Sequence, residues 1–456
     1  MSKDERGYWI ATVEQVLPGT LYFYSLEEKY GKPDPASHFQ PQGVNGPSQV
    51  INHSSFQWGD EQWSGILTPE GTFEAIIPRL DDLQDLGINA IEIMPVTQFS
   101  GERNWGYDGV YPFAVHYSYG GPEGLKKVEE FSNQQERKFC LIAESDLNDL
   151  RITQPKERGG YGIDAQWCDD FHHSIHTILT NENVGSYIDF GNITHLVKTV
   201  REGFVYSWHY SLDRKRRYMI SSKDIPAQQF VVFSQNHDQI GNRIFGERLS
   251  KLVSFETLKL AAGMVLLSPY IPLLFMGEEY GEESPFLYFV NHSNPDIIAG
   301  IREGRKRKFK AFRWIGEPPD PQSLETFLQS KLKWEKRTKG KHKVLLEFYR
   351  LLIQFRKDLP AIKNLDKKSL DVFAMEEEKL IFIRRWHEQS QGISVMNFNT
   401  KDVSFRSCFP YGRWGKVMDS SDKKWMGAGP LLPLKIEQEE ELTIRPLSFA
   451  LYEGQI

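Results

Sequence analysis

Three short apolar runs, each closed by a polar tail, constrain this chain more than anything else in it. Residues 139–143 (Phe-Cys-Leu-Ile-Ala) stop at Glu144, Ser145 and Asp146; residues 228–234 stop at Gln235-Asn236-His237-Asp238-Gln239; residues 270–276 stop at Gly277-Glu278-Glu279-Tyr280-Gly281. Runs this short and apolar predict strands buried on both faces, the signature of a parallel sheet. Helically spaced stretches separate them, so the repeating unit is helix, buried strand, polar loop. That is α/β organisation with its polar loops on one rim. Chemistry on such a scaffold collects where strands end, which singles out Glu144 and Asp238. The apolar run behind Glu144 predicts a desolvating wall that would raise its pKa and keep it protonated for general-acid work. The plainer alternative is that Glu144 or Asp146 caps the next helix or faces solvent.

The rest of the chain fits around these runs. Residues 1–64 read as a hairpin fragment and a linker rich in Pro, Gly and Asn. Phe73, Ile76, Ile77, Leu80, Leu83 and Leu86 keep helical spacing, with Gly87 as the stop. A strand is expected at 88–96, opening into the aromatic and acidic loop 104–109, and a second helix at 122–131. The apolar stretch 258–276 contains Pro269 and Pro272, so it predicts a helix ending near Ser268 and a strand rather than a membrane span. The basic run at 302–310 reads as a solvated face, and 344–355 as an amphipathic helix. After Pro360 short strands are expected at 372–375, 380–386, 394–398, 442–444 and 449–452, which make a β-sandwich domain.

Several function classes drop out. A net charge of −6 argues against nucleic acid or an anionic membrane as partner. Three cysteines without CxxC spacing form no disulfide framework and suit a reducing cytoplasm, and no signal peptide is visible at the N-terminus. Nucleotide-binding glycine loops and GxSxG are absent, so no cofactor is expected. His172 and His176 fall on one helix face beside Asp169 and Asp170, but lack the Glu of H-E-x-x-H, so the expectation is no metal. Aromatic residues make up 13% of the chain, with 11 Trp and 19 Tyr, and such rings suit stacking on sugars. Glycosidic cleavage needs one protonated carboxyl and further carboxylates to carry positive charge. Two strand-end acids near a loop of aromatics raise that chemistry above the others.

Residues 34–37 (Asp-Pro-Ala-Ser), 39–41 (Phe-Gln-Pro), 46–49 (Gly-Pro-Ser-Gln), 68–73 (Thr-Pro-Glu-Gly-Thr-Phe), 104–109, 120–124, 141–149, 161–173, 235–242 and 275–281 carry a resemblance. Together they resemble the α-amylase superfamily of glycoside hydrolases and, within it, the malto-oligosyltrehalose trehalohydrolase family. The resemblance implies a (β/α)8 TIM-type barrel followed by an all-β sandwich, with a remnant β domain at 1–64, the barrel at 65–365 and the sandwich at 366–456. It implies cleavage of the α-1,4-glucosidic bond next to the terminal trehalose of a malto-oligosyltrehalose. Trehalose made this way from α-glucan would pair the chain functionally with a malto-oligosyltrehalose synthase. Glu144 matches the family's general acid and base, and Asp238 its transition-state stabiliser. Trp105, Tyr107, Asp108, Asp169, Asp170, Phe171, His172, His173, His237, Gln239, Ile240, Gly241 and Asn242 match substrate-contacting positions.

The departures are as specific as the match. The superfamily's nucleophile is an Asp in an Arg-x-Asp-Ala segment upstream of the acid, and here residues 121–133 run straight on to Arg137-Lys138-Phe139. Asp164-Ala165 is no substitute: Gly162 stands in the place of the Arg, and the pair matches a segment downstream of the acid. By the resemblance, barrel strands 1, 3 and 4 are missing while strands 2, 5, 6, 7 and 8 remain. Five strands do not close an eight-stranded barrel and leave unpaired edges. The gaps fall at element boundaries, the pattern of a mis-joined gene. Two function classes follow: a trehalose-releasing enzyme, or a non-catalytic relic that binds malto-oligosaccharide through Trp105, Tyr107 and the 169–173 loop. A glucan branching enzyme is a third, against which the stretches 141–149 and 169–173 speak.

Overall fold

The structure is a computed structural model that describes residues 1–5, 7, 9–26, 30–52, 71–122, 140–218, 221–311, 316–437 and 440–455. The chain divides into two compact units. One comprises residues 1–138, 289–302 and 320–323; the other comprises 139–288, 303–319 and 324–456.

In the first unit the N-terminal segment makes short antiparallel pairs, Leu21–Tyr22 with Ser48–Gln49 and Tyr24–Leu26 with Tyr30–Lys32. Asp34 ties them together. Its carboxylate accepts from the Tyr22 hydroxyl at 2.7 Å and from Ala36 N at 2.9 Å, while its own N–H donates to Ser48 Oγ at 2.9 Å. Helix α1, Ile77–Leu86, ends at Gly87, whose φ of 104° is the left-handed cap that a side chain would strain. The strand expected at 88–96 does not form. Ile91 and Ile93 stay exposed there, and the first pairing comes at Thr97–Gln98, antiparallel to Tyr111–Val115. An apolar run makes a parallel strand only where it pairs with strand neighbours; among the described residues 88–96 forms no strand, though Val96 O accepts from His116 N at 2.8 Å. The helix expected at 122–131 lies, from residue 123 on, outside the described residues, as does the join at 63–69.

The second unit holds a four-stranded parallel sheet: β1 Ile142–Ala143, β2 Ala165–Trp167, β3 Phe230–Val232 and β4 Ile271–Pro272, in spatial order β4-β3-β2-β1. Helices α2 (Asp169–Thr180), α3 (Ile193–Glu202) and α4 (Phe255–Leu266) lie between the strands in sequence. The central strands β2 and β3 are buried along their whole length, as their composition requires. Strand β1 is not. Leu141 is 52% and Ile142 40% exposed, so the apolar wall expected behind Glu144 is open on one side. Among the described residues β1 is one edge of the sheet, with β2 as its strand neighbour.

Helix α4 is apolar all round and buried, which suits a core position. Ser254 caps its start, accepting from Thr257 N at 3.2 Å. At its end two buried arginines collect the carbonyls that a helix C-terminus leaves unpaired. Arg356 donates to Leu266 O and Ser268 O, both at 2.8 Å; Arg385 donates to Leu267 O at 3.0 Å and Ser268 O at 2.9 Å. Burial pulls the two guanidiniums down to about 10 and about 9, so both stay charged at neutral pH. Gly263 lets α4 approach Phe449, because a Cβ there would stand 2.4 Å from the phenyl ring. No helix among the described residues is long and apolar enough to cross a membrane.

Two more helices follow, α5 Pro295–Ala311 and α6 Gly340–Asp358. The basic run on α5 is only partly the solvated face expected of it. Arg302 pairs with Asp320 and Lys306 with Glu317 at the surface, but Arg305 turns inward between aromatic rings. The chain closes in a six-stranded antiparallel sheet. Its strands are β5 Leu370–Met375, β6 Leu380–His387, β7 Ser390–Asn397, β9 Trp414–Asp419, β10 Lys435–Ile436 and β12 Ser448–Gln455, ordered β5-β6-β7-β12-β9-β10. A separate pair, β8 Val403–Arg406 with β11 Glu441–Ile444, packs over it. Phe382, Val395, Phe405, Trp414, Leu442 and Tyr452 form the shared core.

Candidate active site

All four strands of the parallel sheet run on to acids, with Glu278 and Glu279 after β4 buried. Glu144 follows β1, Asp169 follows β2 after Cys168, and Asp238 follows β3. Asn236 turns the chain out of β3: its side chain accepts from Gln239 N at 2.8 Å and opens the short helix His237–Gly241. That turn sends His237 back over β2, where its ring lies 5.7 Å from Trp167, and brings its Nε2 to 3.2 Å from Glu144 Oε1. Glu144 keeps 39% of its side chain exposed, and Asp238, the residue after His237, is exposed as well. Gln239 Nε2 donates to Asp169 Oδ1 at 3.3 Å, and Asn242 Nδ2 donates to Asp238 Oδ1.

Asp169 is nearly fully buried. Desolvation, then the charges of Asp238, Asp170 and Asp146, pushes its pKa up to about 8. At neutral pH it carries a proton and can donate a hydrogen bond.

Several residues matched to substrate contacts are buried in the fold. Asp170 is interior. It accepts from Asn148 Nδ2 at 3.0 Å, Val205 N at 2.7 Å and Tyr206 N at 3.3 Å, which fixes the loop after α3. Phe171 is wholly buried, and Ile240 and Gly241 are buried as well. His172 spends both ring nitrogens inside the protein, on Ser234 O at 2.7 Å and the Tyr187 hydroxyl at 3.1 Å. Helix α2 buries almost all of its first two turns against the sheet, so the side chains after Asp169 become core. His173 is partly exposed, and desolvation drives its pKa down to about 3, so it is neutral. His176 Nε2 sits 2.8 Å from Glu182, which also holds Arg243 through two bonds of 2.7 and 2.8 Å. Among the described residues no group of His, Cys, Asp and Glu is placed to hold a metal ion.

In the first unit Trp105 is buried and presents no face, whereas Tyr107 is 48% exposed. Asn104 organises the loop: Nδ2 donates to Asp108 Oδ2 and Oδ1 accepts from Gly106 N, each at 2.8 Å. Asp164 accepts from Leu141 N at 2.8 Å at the start of β2. It therefore lies at the opposite end of the sheet from Glu144. Sequence reasoning missed Arg214, which donates to Asp146 Oδ2 at 2.9 Å, and Arg305, described below. A phenylalanine four residues after Arg305, inside a basic run, was the signal for the second.

A parallel sheet with acids at its strand ends, followed by an antiparallel sheet domain, is the arrangement expected of an α-amylase-type protein. A solved structure of a putative α-amylase from Salmonella typhimurium agrees: TM-score 0.78 at 28% identity, covering 97% of this chain and 92% of that one. The malto-oligosyltrehalose trehalohydrolase of Saccharolobus solfataricus is 38% identical over 466 residues, covering 78% of this chain and 81% of that protein. The one from Rhizobium sp. strain M-11 is 32% identical over 520 residues, covering 88% and 86%. No family model matches the chain. The chain belongs to the malto-oligosyltrehalose trehalohydrolase family. These names give the non-catalytic reading no support. Both alignments are longer than the chain's own 456 residues while leaving part of it unmatched. The relatives therefore hold internal residues that this chain lacks.

Proposed function

We propose that the chain acts on malto-oligosyltrehalose at the α-1,4-glucosidic bond beside the terminal trehalose, releasing trehalose. The observation that carries this reading is the 3.2 Å approach of His237 to Glu144, which joins the ends of β1 and β3, with Asp238, the residue after His237, exposed. Glu144 protonates the leaving oxygen and then takes the proton of the incoming water; Asp238 stabilises the positive charge that develops on the sugar ring. Within the second unit Asp169, His173, His237, Gln239 and Asn242 are the substrate contacts on this reading; Tyr107 and Asp108 keep the contact role that the resemblance alone implies. Residues 1–64, 65–365 and 366–456 are its three divisions. The product ties it to a cytoplasmic malto-oligosyltrehalose synthase that would make its substrate.

A retaining route also needs a carboxylate nucleophile, and no Arg-x-Asp-Ala segment precedes Glu144. The alignment lengths and the exposed Leu141 and Ile142 on β1 support the reading that barrel strands 1, 3 and 4 are among the residues lacking here. The chain as it stands then binds the substrate and turns it over by direct attack of water in a single step, Glu144 protonating the leaving oxygen while Asp238 takes the water's proton, several orders of magnitude more slowly than a complete family member. The test is to incubate the 456-residue chain with maltotriosyl-trehalose and assay free trehalose. Slow release that Glu144→Gln abolishes supports the reading. Binding with no release leaves a non-catalytic glucan binder, and no binding at all sinks both.

A further inference from the structure

We propose that Arg305 is a positioning residue for Asp238, acting through the side-chain amide of Asn242. The inference deepens the function proposed above and rests on it for the role of Asp238. The rings of Tyr288 and Phe309 flank the Arg305 guanidinium, with centroids 4.8 and 4.7 Å from its central carbon. Held between two aromatic faces, the planar group has little freedom to swing. Its Nη1 donates to Asn242 Oδ1 at 3.1 Å and its Nη2 to Gly241 O at 2.8 Å, the last carbonyl of the helix His237–Gly241. Both acceptors are neutral. Burial pulls the guanidinium down to about 10, while the charges of Tyr288 and Asp238 favour its cationic form. It is therefore a cation at neutral pH, set one residue away from the acid it serves.

The chemistry of the three groups fixes the direction of the relay. A guanidinium only donates and a carboxylate only accepts. With Oδ1 held by Arg305, Asn242 presents Nδ2 to the other side, where it donates to Asp238 Oδ1. Turning the amide over would set NH2 against the guanidinium and the carbonyl oxygen against the carboxylate, losing both bonds. One carboxylate oxygen of the exposed Asp238 is thus held from behind.

The experiment uses the full chain and reads the Asn242 side-chain NH2 pair by nitrogen-15 NMR, identified by its loss in Asn242→Asp. In the unsubstituted protein its protons exchange with solvent roughly tenfold or more slowly than those of exposed asparagines. Arg305→Gln is expected to remove that protection and move the pair, while backbone signals of the 370–455 sheet stay in place. Arg305→Lys keeps one of the two bonds and gives intermediate protection; it decides the matter if Arg305→Gln does not fold. In a trehalose-release assay, Arg305→Gln lowers kcat by about 10- to 100-fold with little change in KM, the split a misplaced group produces. An Asn242 pair unmoved by either substitution overturns the relay. A pair that moves in a protein that neither binds nor cleaves maltotriosyl-trehalose upholds the relay and removes the proposed function.

Discussion

Asp169 shows how one buried acid sets a pH response. Its pKa rises from 3.8 in the open chain to about 8 in the fold, so between those values the unfolded chain is ionised while the folded one holds its proton. The folded state then binds more protons, and stability falls as pH rises through that window by roughly 1.4 kcal/mol per pH unit from this group. Asp169→Asn, which keeps the shape and removes the titration, is expected to be little changed in stability near pH 4 and more stable than the parent by pH 7. Denaturant midpoints measured across that range decide it; a difference that stays flat with pH contradicts the assignment. The same residue marks where sequence reading stopped. A motif match places Asp169, Asp170, Phe171 and His172 together at a site, yet the helical turn that carries them points only the first toward the rim. Periodicity within the match at 161–173 gives no hint of which face the sheet will cover.

At the scale of elements, strand interiors were legible and strand edges were not. Phe230, Val231 and Val232 read as buried and are buried, because their composition matches a position flanked by strands on both sides. Leu141 and Ile142 read the same way and are exposed, because burial there is a property of a neighbour rather than of the strand. In the C-terminal domain β8, β9 and β10 went unread: Val403-Ser404-Phe405-Arg406 and Lys435–Ile436 are short, and Trp414–Asp419 carries a register shift between Lys416 and Met418 that breaks its alternation. The open edge at β1 invites pairing with another edge. Leu141→Lys is expected to leave stability within about 0.5 kcal/mol and to reduce concentration-dependent association in sedimentation velocity. Unchanged association would place the sticky surface elsewhere.

For the whole molecule, the question is what the relatives' additional residues supply. Inserting the Saccharolobus relative's corresponding segment between Gly121 and Cys140 is expected to restore trehalose release by several orders of magnitude. It should also remove the association that Leu141→Lys suppresses, since the new strands would cover β1. A chimera that folds and gains no activity would show that the chemistry lacks more than this segment.

Strand β12, residues Ser448–Gln455, lies in the middle of the C-terminal sheet, paired with β7 on one side and β9 on the other. Its Phe449 is also the ring that Gly263 admits against α4. During synthesis, strands β5 to β7 and β9 to β10 leave the ribosome as two separate ribbons with no seam between them. Only when residues 448–455 emerge can the halves zip together and α4 find its cover. Until then the nascent chain holds two apolar ribbon faces apart, a long exposure for a cell's chaperones to manage.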